Sequence, residues 1–128
     1  MYPLAAGLST LLVFTGGWLG SQAIAPTMVQ ASPTRVDVTL DVLENETFDL
    51  LLRRAEAVAR AATQRSFDRE ILITEVNVVI AARKGDNLAP ILSLQVTREN
   101  WRDRPDPRVW STYYRTSRRL LNLESPKR

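Results

Sequence analysis

The sequence predicts an α+β domain with a three-stranded mixed sheet in the order β-α-β-β-α, with the helices packed on one face and an apolar N-terminal leader in front. Polar and apolar residues alternate in several segments, as in strands, and apolar residues recur every three to four positions in others, as in helices. Residues 1–31 contain no charged side chain, whereas all 17 Lys and Arg and all 14 Asp and Glu follow them. We therefore assign residues 1–31 to a leader and residues 32–128 to a single small domain.

The leader has the features of a signal peptide. Its apolar stretch, residues 4–19, has about the length of a signal-peptide core. It is shorter than the roughly 20 apolar residues that span a bilayer comfortably. The small residue Ala31, followed by Ser32, favours cleavage between the two. The basic residue that usually opens a signal peptide is missing, so an uncleaved anchor over residues 4–20 is the alternative. Both predictions place the domain outside the cytoplasm.

The sequence contains no cysteine and no histidine. Without cysteine there is no disulfide framework, so a small exported domain depends on its apolar core. Without histidine, Ser-His and Cys-His nucleophilic catalysis and His-ligated metals are excluded. No candidate nucleophile has an evident base, and no group of carboxylates has the spacing of a calcium loop. We therefore predict that the protein is not an enzyme and uses neither a metal nor another cofactor.

Residues 35–42 are predicted to form the first strand, with one face in the core and one face in water. Their apolar and polar residues alternate strictly, with Val36, Val38, Leu40 and Val42 against Arg35, Asp37, Thr39 and Asp41.

The first helix is predicted to begin near Asn45 or Thr47, either of which can cap it. A helical stripe of apolar residues follows, formed by Phe48, Leu51, Leu52, Ala55, Val58, Ala59 and Ala62. Two pairs on the opposite face have the i,i+4 spacing of ion pairs, namely Asp49 with Arg53 and Glu56 with Arg60.

Residues 71–82 and 91–97 are predicted to form the two strands of a hairpin. The first strand has apolar residues on both faces, so it is either covered on both sides or bulged near Thr74 and Glu75. The connection, residues 83–87, contains Gly85, which we expect at positive φ. Pro90 suits the first residue of a strand.

A second long helix is predicted to begin with Asp106 as its cap and Pro107 in its first turn. The residues that follow have helical spacing, with Val109, Trp110, Tyr113, Tyr114, Ser117, Leu120 and Leu121 on one stripe. The strand–helix–strand crossover usually gives parallel neighbours, whereas the hairpin gives antiparallel ones, so the predicted sheet is mixed.

This element order resembles the small βαββα modules of bacterial envelope machines, such as the periplasmic domains of secretins and the ring-building modules of secretion and sporulation assemblies. The likeness covers residues 35–123, carries no motif and concerns the fold alone. The segments TRVDV (34–38) and APILSLQVTRENWR (89–102) are also similar to small exported proteins of unknown function from cyanobacteria. That resemblance implies a location in the periplasm or the thylakoid lumen and brings no activity with it.

The candidate binding residues form an arginine–aromatic set in the C-terminal third, made of Arg98, Trp101, Arg102, Arg104, Arg108, Trp110, Tyr113 and Arg115. Seven arginines and three acidic residues lie between positions 98 and 119. Arginine forks and aromatic faces suit the binding of phosphates, carboxylated polymers and acidic protein surfaces. The alternative is that the aromatic rings close the core and the arginine stems lie over them.

Our functional hypothesis is an exported, non-catalytic interaction module that docks on a membrane or envelope protein complex through this set. The expected partner is an acidic protein surface or an anionic membrane or cell-wall component, because export argues against nucleic acid. A binder of anionic lipid or glycan is one alternative. A homo-oligomerising structural module is another, because a small sheet leaves an exposed edge.

Overall fold

A four-stranded mixed sheet organises the computed structural model, which describes residues 32–124, so the predicted leader lies outside the described residues. The elements in chain order are β1 (Ser32–Asp41), α1 (Phe48–Arg69), β2 (Ile73–Lys84), β3 (Asn87–Thr97), α2 (Arg98–Asp103), α3 (Pro107–Trp110), β4 (Ser111–Tyr113) and α4 (Ser117–Leu120). The strands are hydrogen-bonded in the order β1-β2-β3-β4. The first pair is parallel and the other two are antiparallel. The α+β class and the mixed sheet are confirmed, but the prediction of three strands is wrong.

Helix α1 begins where the sequence places a cap. The Thr47 side chain accepts a hydrogen bond of 3.2 Å from the backbone N–H of Leu50, which satisfies one of the free donors of the first turn. Asn45 instead has φ of 64° and turns the chain into the helix. The predicted stripe faces the core and extends by more than one further turn, to Thr63, Ser66 and Phe67.

A bulge at Thr74 sets the face of β2. Ser32 pairs with Ile73, but the next residue, Pro33, pairs with Glu75, so Thr74 has no partner. Beyond the bulge, Val76 and every second residue to Ala82 are buried, whereas Thr74 is exposed. The bulge that the sequence predicts near this position is therefore confirmed, and it explains why Ile73 is buried together with Val76 although they lie an odd number of positions apart.

The hairpin between β2 and β3 has a tight two-residue turn. Lys84 pairs with Asn87, and of the turn residues Gly85 has φ of 62°, as a type II′ turn requires at its first central position. Strand β3 therefore begins at Asn87, four residues before the predicted start. A second register shift leaves Ile91 without a partner on β2, so Ile91 and Leu92 are both buried.

The C-terminal third differs most from the sequence prediction. The long helix expected from Asp106 ends after one turn, at Trp110, and strand β4 and the short helix α4 take the place of the rest. Strand β4 pairs with the edge of β3 that β2 does not occupy, and Tyr113 lies opposite Leu92. The segment between β3 and α3 contains the short helix α2, which the sequence analysis did not predict.

The apolar core lies between the sheet and α1. Buried side chains of α1, β2 and β3 form one cluster, which Trp101 and Leu121 complete. The opposite face of the sheet is polar, and within residues 32–124 no helix covers its centre, where Val79 and Ser93 are half-buried and Gln95 is exposed. We call this surface the open sheet face.

Candidate functional site

Arg98 is part of the internal framework of the fold. Its guanidinium donates to three backbone carbonyls, at 2.8 Å to Glu70, 3.0 Å to Ile73 and 3.2 Å to Phe67. The guanidinium also lies 4.9 Å from the centre of the Phe67 ring. These groups lie at the end of α1 and the start of β2, where helix carbonyls have no partner within the helix. Arg98 therefore joins α1, β2 and α2.

The two tryptophans of the set also belong to the fold. Trp101 is 3% exposed, and its ring N–H donates to the Gln64 side chain of α1 at 2.9 Å. Trp110 packs against the core, and its ring N–H donates to the carbonyl of Arg104 at 2.8 Å. For these rings the structure matches the alternative in which aromatic residues close the core.

Arg102 and Arg104 point into solvent. Both are exposed, and neither forms an ion pair within residues 32–124. Arg102 borders a shallow depression of about 320 Å³ beside Gln64 and Trp101. Its guanidinium is available to an anionic partner, but Arg102 does not line the groove that contains Arg108, Tyr113 and Arg115.

The other three members line one groove with the first half of α1. This α1 groove has a volume of about 650 Å³ and is lined by Asp49, Leu52, Arg53, Glu56, Arg108, Tyr113 and Arg115. Helix α1 provides one wall. The opposite wall comes from α3, β4 and the residues after them, which the pairing of β4 with β3 holds in place. Residues far apart in the sequence therefore meet here.

A hydrogen bond across the groove positions Tyr113. Its hydroxyl donates to the carboxylate of Glu56 at 2.5 Å. Burial, and in second place this bond to Glu56, raise the pKa of Tyr113 well above its ordinary value. The phenol therefore stays neutral and acts as a donor.

The arginines of the groove differ in how far they are already engaged. Arg108 lies 3.3 Å from the Asp106 carboxylate, and the Arg108 backbone N–H and then its side chain lower the pKa of that carboxyl. The Arg115 guanidinium lies 5.4 Å from the centre of the Tyr113 ring. Arg53 forms no ion pair within the described residues. The lining carries three arginines and two carboxylates and therefore has a net charge of +1.

The sequence prediction missed the α1 side of this groove. Neither predicted i,i+4 ion pair forms, because Asp49 lies 4.0 Å from Arg118 and Glu56 binds Tyr113 instead. The available signal was the spacing of Asp49, Arg53 and Glu56, which places them on one helix face beside the apolar stripe. That spacing is also typical of a solvated helix surface, so it identifies no partner by itself.

The described residues contain no group of three or more acidic side chains placed to hold a metal ion. The α1 groove is lined by three guanidinium groups, a neutral phenol and two carboxylates. These groups suit the binding of a carboxylate or another anion.

Comparison with known protein families, with curated proteins and with solved structures gives no match for this chain. Among residues 32–124, none of the helices has the length and apolar character needed to cross a membrane.

Proposed function

We propose that this protein is a non-catalytic interaction module that docks on an acidic surface of a membrane or envelope protein complex through the α1 groove. The observation that supports this most is the meeting of Arg53, Arg108 and Arg115 around the neutral Tyr113. These residues come from separate segments, and two of the guanidiniums form no ion pair within residues 32–124.

The lining of the groove favours a protein partner. Small-molecule sites are mostly apolar, with a few polar groups that set orientation. Here Leu52 is the only apolar side chain of the lining. Arginine is enriched in protein interfaces, where its planar fork binds carboxylates through two hydrogen bonds. Acidic side chains of a partner, or its C-terminal carboxylate, fit this arrangement.

The expected location of the partner rests on the sequence alone. An uncharged leader before a charged domain favours export, so the partner is expected in the periplasm or the thylakoid lumen. In that compartment, an acidic protein surface is a more available anion than nucleic acid.

Site-specific photo-crosslinking in the organism that produces the protein tests the proposal. A photoreactive residue at position 53 or 115 is expected to form an adduct with one partner protein. The same residue at position 69, an exposed arginine at the other end of α1, is the matched control. Equal adducts at all three positions, or none at positions 53 and 115, would contradict docking through the groove.

Charge reversal supplies the second arm of this test. Arg53→Glu with Arg115→Glu is expected to abolish the adduct formed from a photoreactive residue at position 108. Arg60→Glu with Arg69→Glu changes the net charge equally on the exposed surface of α1, and it is expected to leave the adduct intact.

The same two double variants separate protein docking from diffuse attraction to anionic lipid. Lipid attraction depends on total charge and weakens as salt screens it. Equal loss of the adduct in both double variants, matched by equal loss of binding to anionic liposomes, would therefore count against a docking groove.

A further inference from the structure

Strand β1 forms a long outer edge of the sheet. It has 10 residues and pairs with β2 on one side. Within residues 32–124 no strand pairs with its other side. The opposite edge, β4, has only 3 residues. A long, regular edge strand presents backbone donors and acceptors to any strand that approaches it.

The direction of the backbone groups shows which residues of β1 face outward. The N–H of Val42 donates to the carbonyl of Arg83 at 2.9 Å, and the N–H of Ser32 donates to the carbonyl of Leu72 at 3.3 Å. The backbone N–H and C=O groups of the even-numbered residues therefore point toward β2. Successive residues of a strand direct their backbone groups to opposite sides, so Arg35, Asp37 and Thr39 direct theirs outward.

We infer that β1 pairs with β1 of a second copy of this chain, antiparallel and centred on Val38, to form one continuous sheet across a two-fold axis. In that register Arg35 lies opposite Asp41 of the other copy, Val36 lies opposite Leu40, and Val38 lies opposite its own counterpart. The inference concerns a different surface from the α1 groove and does not depend on the proposed docking function.

Charge distinguishes this register from its neighbours. Centring the pair one residue earlier places Asp37 opposite Asp37, and centring it one residue later places Asp37 opposite Asp41. Like charges directly opposite each other destabilise a strand pair, whereas opposite charges stabilise it. Centring on Val38 is free of such clashes and provides the pair of Arg35 with Asp41 twice, because the two-fold axis repeats it.

The register centred on Val36 also matches opposite charges, but it fits the strand less well. It places Thr34 opposite Val38 and Ser32 opposite Leu40, whereas centring on Val38 pairs Val36 with Leu40 and Val38 with its counterpart. Over the same length that register leaves only Thr34, opposite Val42, facing an apolar residue with a polar one. It also brings Pro33, which has no N–H, into the hydrogen-bonded positions, so a donor is missing there.

The side chains of β1 are free to adopt the new pairs. Arg35 binds Asp37 at 3.0 Å with both side chains more than half exposed, and the exposed pair of Arg83 and Asp41 also lies at 3.0 Å. Exposed ion pairs of this kind cost little to rearrange. On the core side, Val36 and Val38 are only partly buried, because α1 lies mainly over β2 and β3, so a second strand would cover them further.

Cysteine crosslinking of the full chain tests the register, since the sequence contains no cysteine. Residues directly opposite each other at a non-hydrogen-bonded antiparallel position have Cα atoms about 4.5 Å apart, within reach of a disulfide. Val38→Cys is therefore expected to form a disulfide dimer under mild oxidation. Val36→Cys and Leu40→Cys are single variants on the same face of the strand. In each, the sulfur atoms of the two copies lie too far apart to form a disulfide. Crosslinking that is equal at all three positions, or greatest at Val36→Cys, would overturn the inference.

Sedimentation equilibrium of the full chain in mild detergent tests the association without cysteine. Asp41→Arg places two arginines opposite each other, and it is expected to weaken the dimer roughly 2- to 30-fold. Adding Arg35→Asp restores opposite charges and should restore association. Asp86→Arg, the same change at the hairpin turn, is the control. A monomer at all concentrations, or association that is unchanged by Asp41→Arg, would overturn the inference, the latter by locating the contact elsewhere.

Discussion

The hydroxyl of Tyr113 donates a hydrogen bond of 2.5 Å to the carboxylate of Glu56, which joins the last strand of the sheet to the middle of α1. This contact spans 57 positions of the chain, and both of its residues line the α1 groove. Its two residues come from segments that the sequence shows no reason to bring together.

Removing the Tyr113 hydroxyl should lower stability measurably. Tyr113→Phe leaves the half-buried carboxylate of Glu56 without this donor, and we expect a loss of about 1 kcal/mol in the free energy of unfolding. Tyr114→Phe is the matched control, because the Tyr114 hydroxyl lies 3.0 Å from Ser93 on the open sheet face. Tyr114→Phe should change the free energy of unfolding by less than about 0.5 kcal/mol. Urea melts compare the two, and equal midpoints would show that the Glu56 contact contributes nothing.

Two adjacent leucines of α1 test the assignment of the core. Leu51 is 0% exposed and Leu50 is 53% exposed. Leu51→Ala removes buried methyl groups and leaves a cavity, so it should cost about 2–5 kcal/mol. Leu50→Ala should change the free energy of unfolding by less than about 0.5 kcal/mol. Urea unfolding followed by circular dichroism measures both values, and comparable losses would refute the orientation of the helix.

Arg98 should prove structural although it belongs to the arginine–aromatic set. A lysine cannot reproduce a fork that reaches three carbonyls, so Arg98→Lys is expected to destabilise the fold by about 2 kcal/mol. Arg102→Lys makes the same replacement on an exposed side chain four positions later, and it should be close to neutral. Thermal melts of the two variants test this prediction. An unchanged melting temperature for Arg98→Lys would contradict the structural role and leave Arg98 as a candidate binding residue.

Glu46 should make stability depend on pH in the acid range. Its side chain is 6% exposed and accepts two hydrogen bonds of 2.9 Å from Arg54 and one of 2.8 Å from the N–H of Leu43. The Arg54 hydrogen bonds are the main cause that lowers the pKa of Glu46. A carboxyl with a lowered pKa in the folded state stabilises the fold above its unfolded pKa of about 4.3, and this contribution is lost as the pH falls through the folded pKa.

We therefore expect Glu46→Gln to cost about 1–3 kcal/mol at pH 7, because it interrupts a paired and buried charge. The difference from the unchanged protein should narrow as the pH falls below about 4. Urea melts over a pH series measure it. Glu124→Gln, which affects an exposed pair with Arg119, is the control and should show little difference at any pH. A difference for Glu46→Gln that is constant with pH would contradict the charge-based explanation.

For the candidate site, the sequence identified one wall and missed the other. Arg108, Tyr113 and Arg115 lie in a segment rich in arginine and aromatic residues, which is visible in composition. Arg53 and Glu56 lie on α1 at spacings that also describe an ordinary solvated helix face. Their role depends on which segment packs against that face, and no local pattern carries that information. The same limit applies to Arg98, whose partners are backbone carbonyls that every sequence provides.

Local periodicity was sufficient for the first two thirds of the domain. Strict alternation in β1, the apolar stripe of α1 and the Gly85 turn each agree with the tertiary structure, because a strand or helix that buries one face must repeat its apolar residues at its own period. The C-terminal third was decided by tertiary structure. Val109, Trp110, Tyr113 and Tyr114 have helical spacing, yet β3 has a free edge whose carbonyls and N–H groups need partners. Pairing Ser111–Tyr113 with that edge satisfies them, and the backbone N–H of Tyr114 then donates to Ile91 at 3.0 Å. A short strand with such long-range hydrogen bonds is more stable there than the helix that the same residues favour locally.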